Sequence, residues 1–503
     1  MSTTNSDTDL AQTSPRLPES KEVAHSSATA VESLDATEFG PTATKRLLRK
    51  IDLNLIPFLA LIYLLCFLDR SNVGNARLVH LEADLHMKGL DYNIALAIFF
   101  PFYVAAEIPS NMMIKRFRPG LWIAFIMICW AIVMIFMGFV KNLAGLMAAR
   151  VFLGIAEGGL FPGVSYYISQ WYCRHECGFR IALFFSAATL AGAFGGLLAR
   201  GIADMDGVGG RAAWSWIFIL EGAFTLLVAC TAYWIIPDYP ATAKFLTKDE
   251  VIEVERRLEG DHNGLSNDFD MKFVFQALKD WKIYVHMFIF LGIFTPLYSI
   301  ALFLPTIVSK LGYSNNAAQL MTVPPYVLAC FITIFISWLA DRARQRAIFM
   351  IGMEFCAIVG FILLISTDKP HIQYAGVFFA ASGIYSLVPL ATAWNANNIG
   401  GNLKRGVGLA MQVGMGNLGG CISAFVYRST DAPRYLKGHS ILIGTTFMSL
   451  ILTIFMTIYY RHENSRRDRV AREQNVTADS YTEEMKHAER DMGDDATSWR
   501  FTP

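Results

Sequence analysis

Long apolar runs alternate along this chain with short clusters of charged and turn-forming residues. A bilayer core of about 30 Å is crossed by about 20 mostly apolar residues in α-helix. Twelve stretches meet that length, at approximately 53–74, 92–114, 120–140, 143–171, 180–201, 214–236, 283–308, 317–340, 347–366, 373–395, 405–427 and 440–460. The longest polar interruption, 237–282, follows the sixth stretch. The pattern therefore predicts an all-α polytopic membrane protein built as six spans, a polar loop and six spans. Its expected parts are a tail at 1–42, a bundle at 43–236, the loop at 237–282, a second bundle at 283–460 and a tail at 461–503.

Composition agrees with the pattern. Hydrophobic residues make up 54% of the chain and charged ones only 17%, at a mean hydropathy of +0.37. A soluble domain carries about a quarter charged residues because its surface faces water. The net charge of +1 leaves no basic surplus for nucleic acid. Residues 1–42 are rich in Ser, Thr, Asp, Glu and Pro and hold no apolar run, so no cleaved signal peptide is expected and the first span serves as its own insertion signal. That tail and the charged stretch after Arg461 read as disordered. Of eight cysteines, only Cys173 and Cys177 form a close pair, with no second pair or histidine set beside them. They read as reduced apolar residues, so no metal and no cofactor is expected.

Basic residues near the span ends orient the chain, because they concentrate on the cytosolic side. One set of loops holds Lys45, Arg46, Arg49, Lys50, Lys115, Arg116, Arg118, Arg174, Arg180, Arg342, Arg344, Arg346, Lys404 and Arg405, besides the basic residues of 244–282 and 461–469. The opposite set holds fewer than half as many, among them Arg77, Lys141, Arg211 and Arg434. Both termini are therefore expected in the cytosol. In the central loop, Thr247-Lys-Asp-Glu250 has the form of a capping box opening a helix over Val251–Leu258. The Asn475-Val-Thr477 sequon is expected to face the cytosol and stay unglycosylated.

Candidate chemistry lies in the ionisable residues within spans, each costing about 2.5–3.5 kcal/mol at a helix centre. They are Asp69, Arg70, Glu107, Arg150, Glu157, Glu221, His286 and Glu354. Arg150 and Glu157 are two turns apart and share one face with Gly154, and Gly158 and Gly159 follow. Small residues there admit a close helix or leave a cavity. A guanidinium recognises a carboxylate bidentately, and a carboxylate withdrawn from water binds a proton more readily. The pair suits coupled anion and proton binding, and equally a packed ion pair with no transport role. Asp69 and Arg70 point about 100° apart on a helix. One is expected to face the bundle interior and the other a neighbouring helix, unless both lie among headgroups at the span's outer end. Glu107 and Glu221 read as weaker candidates that could each brace a loop, Glu221 above all, and His286 and Glu354 as structural or lumen-lining. Pro162, Pro296, Pro305, Pro324, Pro325 and Pro389 are expected to interrupt helices. No phosphate loop, zinc-protease motif or nucleophile elbow occurs, so neither an ATP-driven motor nor a hydrolase is supported, and an enzyme is not expected.

Lys115-Arg-Phe-Arg-Pro119 and Asp341-Arg-Ala-Arg-Gln-Arg346 stand at equivalent places in the two halves. They resemble degenerate copies of the basic signature of the major facilitator superfamily, the first lacking the usual Gly and Asp. More specific are Tyr63-Leu-Leu-Cys-Phe-Leu-Asp-Arg-Ser-Asn-Val-Gly-Asn-Ala76, Arg150-Val-Phe-Leu-Gly-Ile-Ala-Glu-Gly-Gly-Leu-Phe-Pro-Gly163, Trp216-Ile-Phe-Ile-Leu-Glu-Gly222, Pro237-Asp-Tyr-Pro240 and Arg428-Ser-Thr-Asp-Ala-Pro-Arg-Tyr435. Together they resemble the anion:cation symporter family, in its fungal allantoate permease branch, from about residue 45 to 460.

That resemblance implies a major facilitator fold at the plasma membrane. It implies proton-coupled uptake of a small organic anion, such as nicotinate, allantoate or a pantothenate-like carboxylate. Arg70 would contact the cargo carboxylate, Asp69 and Glu157 would carry protons, and Arg150 would pair with Glu157 until protonation releases it. Lys115, Arg116, Asp341, Arg342 and Arg344 would serve the gate. Asn395, Asn398, Gln412 and Asn417 are further candidate cargo contacts. The chain is expected to act as a monomer in the bilayer. Gly192-Ala-Phe-Gly-Gly196 lacks the proline of drug–proton antiporters, and Pro237-Asp-Tyr-Pro240 replaces the sugar-porter motif. Competing readings are an exporter of a small acidic metabolite and a transporter-like nutrient sensor.

Overall fold

The computed structural model describes residues 39–261, 271–432, 434–473, 489, 492–496 and 499–503 of the 503-residue chain. Among the described residues, twelve helices are long and apolar enough to cross a membrane. In order, spans 1 to 6 are Pro41–Leu78, Asp91–Ile114, Pro119–Met137, Leu143–Ser169, Glu176–Ala203 and Ala213–Ile235. Spans 7 to 12 are Trp281–Lys310, Ala317–Ala343, Ala347–Ser366, Pro370–Asn398, Leu403–Val426 and Leu436–Glu473. Spans 1 and 12 overrun the expected ends by about ten residues, because the polar flanks contain good helix formers and nothing stops the helix. Pro41 at the first helical position presets φ where no N–H partner is needed.

The pairing of spans repeats between the halves. Spans 3 and 6, 1 and 5, and 2 and 4 pack together, and so do their counterparts 9 and 12, 7 and 11, and 8 and 10. The halves meet through span 5 against span 8, span 2 against span 11, and span 1 against span 7. Such internal repetition places a site between the halves. We call the end where span 1 begins and span 12 finishes the terminal end.

Of the expected proline interruptions, three fall inside unbroken helices and three follow a helix break within spans 4 and 8. Pro296 and Pro305 lie inside span 7 and Pro389 inside span 10. Pro162, Pro324 and Pro325 instead stand in the first turn of a helical segment, where a missing N–H costs nothing. The central loop carries the helix Lys248–Asp261, and its capping box forms: Thr247 N donates to Glu250 Oε2 at 2.9 Å and Glu250 N to Thr247 Oγ1 at 3.4 Å. Ion pairs tie this helix down, Lys50–Glu250 at 2.6 Å and Arg257–Glu176 at 2.5 Å. The expectation of disorder after Arg461 is corrected for the described residues alone, since span 12 stays helical to Glu473 and Gly493–Ala496 and Trp499–Thr502 pack against the terminal end. Residues 1–38 and 474–488 lie outside the described residues. The Asn475–Thr477 sequon lies outside the described residues.

Candidate functional site

Span 4 is built to place a carboxylate. Its helix starts at Leu143, where Asn142 accepts the Gly145 N–H at 2.8 Å, and stops at Glu157. Gly158 and Gly159 then break the ladder, Gly159 at φ +92°, a backbone that only glycine adopts without strain. The same glycines admit span 2. A Cβ at Gly154 would lie 2.5 Å from the Phe99 carbonyl oxygen, and one at Gly158 would lie 2.8 Å from that of Tyr103. The small-residue face expected from sequence is thus a close helix crossing, and it leaves Glu157 fully buried at the end of a helical segment.

Arg70 of span 1 meets it there. Its Nε and Nη2 both donate to Glu157 Oε2, at 3.1 and 2.8 Å. Its Nη1 donates across the interface to the Tyr298 hydroxyl of span 7 at 2.8 Å. That hydroxyl donates to Asn417 Oδ1 of span 11 at 2.6 Å, and Asn417 Nδ2 reaches Glu107 Oε2 of span 2 at 3.5 Å. One continuous polar chain therefore runs from spans 1 and 4 through spans 7 and 11 and back to span 2. The Phe99 and Tyr103 rings lie 5.0 and 4.7 Å from the Arg70 guanidinium, within cation–π range. Glu157 Oε1 and Glu107 Oε1 have no hydrogen-bond partner. Glu107 thus joins this polar chain and braces no loop.

The expected Arg150–Glu157 pair is not formed in this arrangement. Arg150 lies against the opposite end of span 2, where its Nε donates to the Ala95 carbonyl at 3.3 Å and its guanidinium rests 4.8 Å from the Phe99 ring centre. Its Nη1 and Nη2 are buried without partners. Two helical turns set the residues about 10 Å apart along the axis, and Arg70 reaches Glu157 sideways from another helix.

Asp69 points away from Arg70, into the first half. Its Oδ2 accepts Trp130 Nε1 of span 3 and Thr225 Oγ1 of span 6, each at 3.2 Å. One turn on, Asn72 donates to Glu221 of span 6. Spans 1 and 6 are therefore joined by two rungs, Asp69–Thr225 and Asn72–Glu221, with Asp69 Oδ1 and Glu221 Oε1 unpartnered. Glu221 faces this rung ladder and not a loop. His286 and Glu354 bridge helices: His286 Nε2 is 3.1 Å from the Tyr460 hydroxyl, and Glu354 Oε1 accepts Ser449 and Thr453.

Of the other candidates, Asn417 reaches the central chain. Asn395 donates to Gln412 at 2.9 Å, pinning span 10 to span 11. Asn398 lies at the terminal end, bonded to Thr502. At that end Asp341 holds Arg346 at 2.6 Å, and the Arg346 guanidinium presses on Gly178 of span 5, joining the halves. Arg342 lies over Trp338, and Arg344 closes span 8 in the left-handed conformation at φ +52°. Arg116 is exposed, and the Lys115 side chain lies outside the described residues. Five residues on from Lys115, the Gly120 N–H at the start of span 3 donates to Asp238, after span 6, at 3.1 Å. Sequence reasoning missed Tyr298, Tyr103 and Trp130, since an aromatic residue in an apolar run carries no signal of which way it faces.

A family model described as Major Facilitator Superfamily matches residues 59–424. The chain is 35% identical over 439 residues to the uncharacterized transporter C1002.16c of Schizosaccharomyces pombe, spanning 87% of this chain and 88% of the relative. It is 35% identical over 483 residues to the MFS-type transporter cnsO of Penicillium expansum, spanning 92% and 91%. It is 32% identical over 436 residues to the major facilitator-type transporter hxnP of Emericella nidulans, spanning 85% and 88%. Among solved structures, a bacterial homologue of the human lysosomal transporter Spinster, inward-facing and occupied, superposes at a TM-score of 0.58 with 16% identity, over 81% of this chain and 96% of that one. This last likeness concerns the fold alone.

Proposed function

The chain belongs to the Major Facilitator Superfamily and is a multi-pass membrane transporter of that type, and on that footing we propose that it takes up a small organic anion together with protons. The observation that carries this reading is the Arg70–Glu157 contact, a buried cation whose carboxylate partner is internal and replaceable. A carboxylate cargo competes with Glu157 for the same Nε/Nη2 edge, which recognises carboxylates bidentately. A proton on Glu157, taken at the unpartnered Oε1, cancels its charge and frees Arg70 for the cargo. The rings of Phe99, Tyr103 and Tyr298 form an apolar wall around the guanidinium that suits a compact, flat acid such as nicotinate, with allantoate and pantothenate-like acids as the wider class.

Tyr298 and Asn417 couple that exchange to the second half, because their hydrogen bonds cross the interface. Asp69 is the second proton carrier, with Glu221 beside it on the rung ladder. Arg150, with two unpaired nitrogens, is the next cation available to Glu157 once cargo holds Arg70. Asn395 and Gln412 line the neighbouring wall. An inside-negative potential contributes about 2.3 kcal/mol per charge per 100 mV, so a monoanion moving with more than one proton is driven inward. The terminal end then faces the cytosol at the plasma membrane, and Asp341, Arg342, Arg344 and Arg346, with Lys115 and Arg116, form its gate.

The test is uptake of radiolabelled nicotinate, allantoate and related acids into cells lacking their own carriers. Accumulation that rises as external pH falls supports the reading. No pH-dependent accumulation of any small acid, with the protein at the cell surface, overturns it.

A further inference from the structure

The terminal end of the second half carries a fitted peptide, supplied by the chain itself. Asp494 is completely buried there. Lys282 of span 7 reaches its Oδ2 at 2.6 Å, and Lys404 of span 11 holds its Oδ1. Eight residues on, Thr502 donates its backbone N–H to Asn398 Oδ1 at 2.7 Å, and its carbonyl accepts Trp394 Nε1 at 2.8 Å. The Phe501 ring between them stacks on Tyr460 at 4.7 Å, and its backbone pairs twice with Asn464. Arg467 of span 12 donates to the Asp494, Ala496 and Trp499 carbonyls.

This peptide closes over the Gly400–Gly401 turn that joins spans 10 and 11. Gly493 and Asp494 press so closely on Gly400 that no Cβ fits there, and Gly401 lies at φ +81°. Asn398 before the turn and Lys404 after it are both held by the docked segment, so a turn of two glycines is clamped from either side.

The socket is also built to survive release. Without the peptide, Lys404 keeps Asp280 at 2.8 Å, Lys282 keeps the same carboxylate at 3.4 Å, and Arg467 keeps Glu463 at 2.9 Å. Each of these cations keeps a carboxylate within reach, but the two lysines then share Asp280. Undocking therefore leaves the socket one positive charge in excess, which an acidic peptide neutralises on docking.

We propose that Gly493–Ala496 and Trp499–Thr502 form an exchangeable internal ligand of this terminal face, an acidic and aromatic peptide whose docking restrains the span 10–11 turn and whose release frees it. The cargo's identity does not enter, so failure of the uptake reading leaves this one standing.

The experiment uses the full chain in lipid nanodiscs and a fluorescent synthetic peptide of residues 493–503. In Asp494→Lys protein the tethered segment is expelled, so the free peptide binds the vacated socket, while unmodified protein, already occupied, binds it at least about tenfold more weakly. Backbone amide exchange from Asn398 to Arg405 rises about tenfold in Asp494→Lys and returns toward the unmodified rate when Lys404→Asp restores the charge pairing. Asp494→Asn, nearly isosteric, moves exchange the same way and guards against a misfolded lysine variant. The proposal is overturned by exchange that does not change in either Asp494 variant, by peptide binding alike to both proteins or to neither, or by a charge swap that rescues nothing.

Discussion

The guanidinium of Arg70 meets Glu157 through a single carboxylate oxygen, with Nε at 3.1 Å and Nη2 at 2.8 Å both donating to Oε2. A two-oxygen fork would give each carboxylate oxygen a donor. This geometry leaves Oε1 without a partner in a buried site, open to a proton while the ion pair still holds.

Replacing Glu157 by Gln keeps an oxygen in place and removes the exchangeable proton. Concentrative uptake should be lost and its pH dependence flattened, while counter-exchange of labelled for unlabelled cargo persists. Concentrative uptake at the unmodified level would remove Glu157 as a proton carrier.

Arg70→Lys preserves the charge but offers a point donor in place of a planar fork that also reaches Tyr298. Hydrogen bonds to charged groups contribute about 1.5–3 kcal/mol each, so cargo affinity should fall about 10- to 100-fold, read as the half-saturating concentration for uptake. Expression and detergent-extracted stability should stay near normal.

Tyr298→Phe removes the hydroxyl that joins Arg70 to Asn417 across the halves. A net loss of about 1 kcal/mol for the severed link predicts a transport rate changed several-fold, with a smaller effect on affinity. Unchanged kinetics would show that the link between halves runs elsewhere.

Gly158→Val tests the span 2–span 4 crossing, since its Cβ would lie 2.7 Å from the Ala106 Cβ and 2.8 Å from the Tyr103 oxygen. Overpacking costs about 1–3 kcal/mol. The midpoint of thermal unfolding, followed by fluorescence-detected size exclusion, should drop by several degrees. Gly352→Ala, within a helix where a Cβ meets nothing, is the control that should not lower it.

Acid should not release the docked peptide within the physiological range. Burial by itself would push the Asp494 carboxyl up, but Lys404 and Lys282 more than offset it and hold the group below its usual value of 3.8. Asp280 and Asp495 are the other carboxylates facing this cluster. A lowered carboxyl stabilises docking at every pH above its ordinary value and loses that contribution only as pH falls through the lowered one. Amide protection at Asn398–Arg405, that is, exchange corrected for its intrinsic base-catalysed rate, should therefore stay flat from about pH 7.5 to 5. A loss of protection within that window would contradict the sign.

Much of the fold was legible because a bilayer forces each span to satisfy its backbone internally. Apolar length alone thus located twelve helices and the long loop between the sixth and seventh. Buried charge was legible for the same reason: Asp69, Arg70, Arg150, Glu157 and Glu107 stand out in apolar runs whichever way they face. Partnership was not. Arg150 and Glu157 share a helical face, and that spacing suggested a pair, yet the carboxylate went to an arginine 87 positions away. Glu221 adjoins a loop in the sequence and faces span 1 in space.

What the sequence determined by itself is the material: twelve spans, a short set of costly ionisable groups, and glycines where span 4 must break and be approached. What only tertiary structure decided is which of those groups touch. Helical period fixes direction within one helix, whereas contacts such as Arg70–Tyr298 and Lys404–Asp494 depend on how whole helices are set against one another. The docked residues Gly493–Ala496 and Trp499–Thr502 show this most plainly. Their composition reads as a solvated tail, and their order comes from a socket assembled by four separate spans.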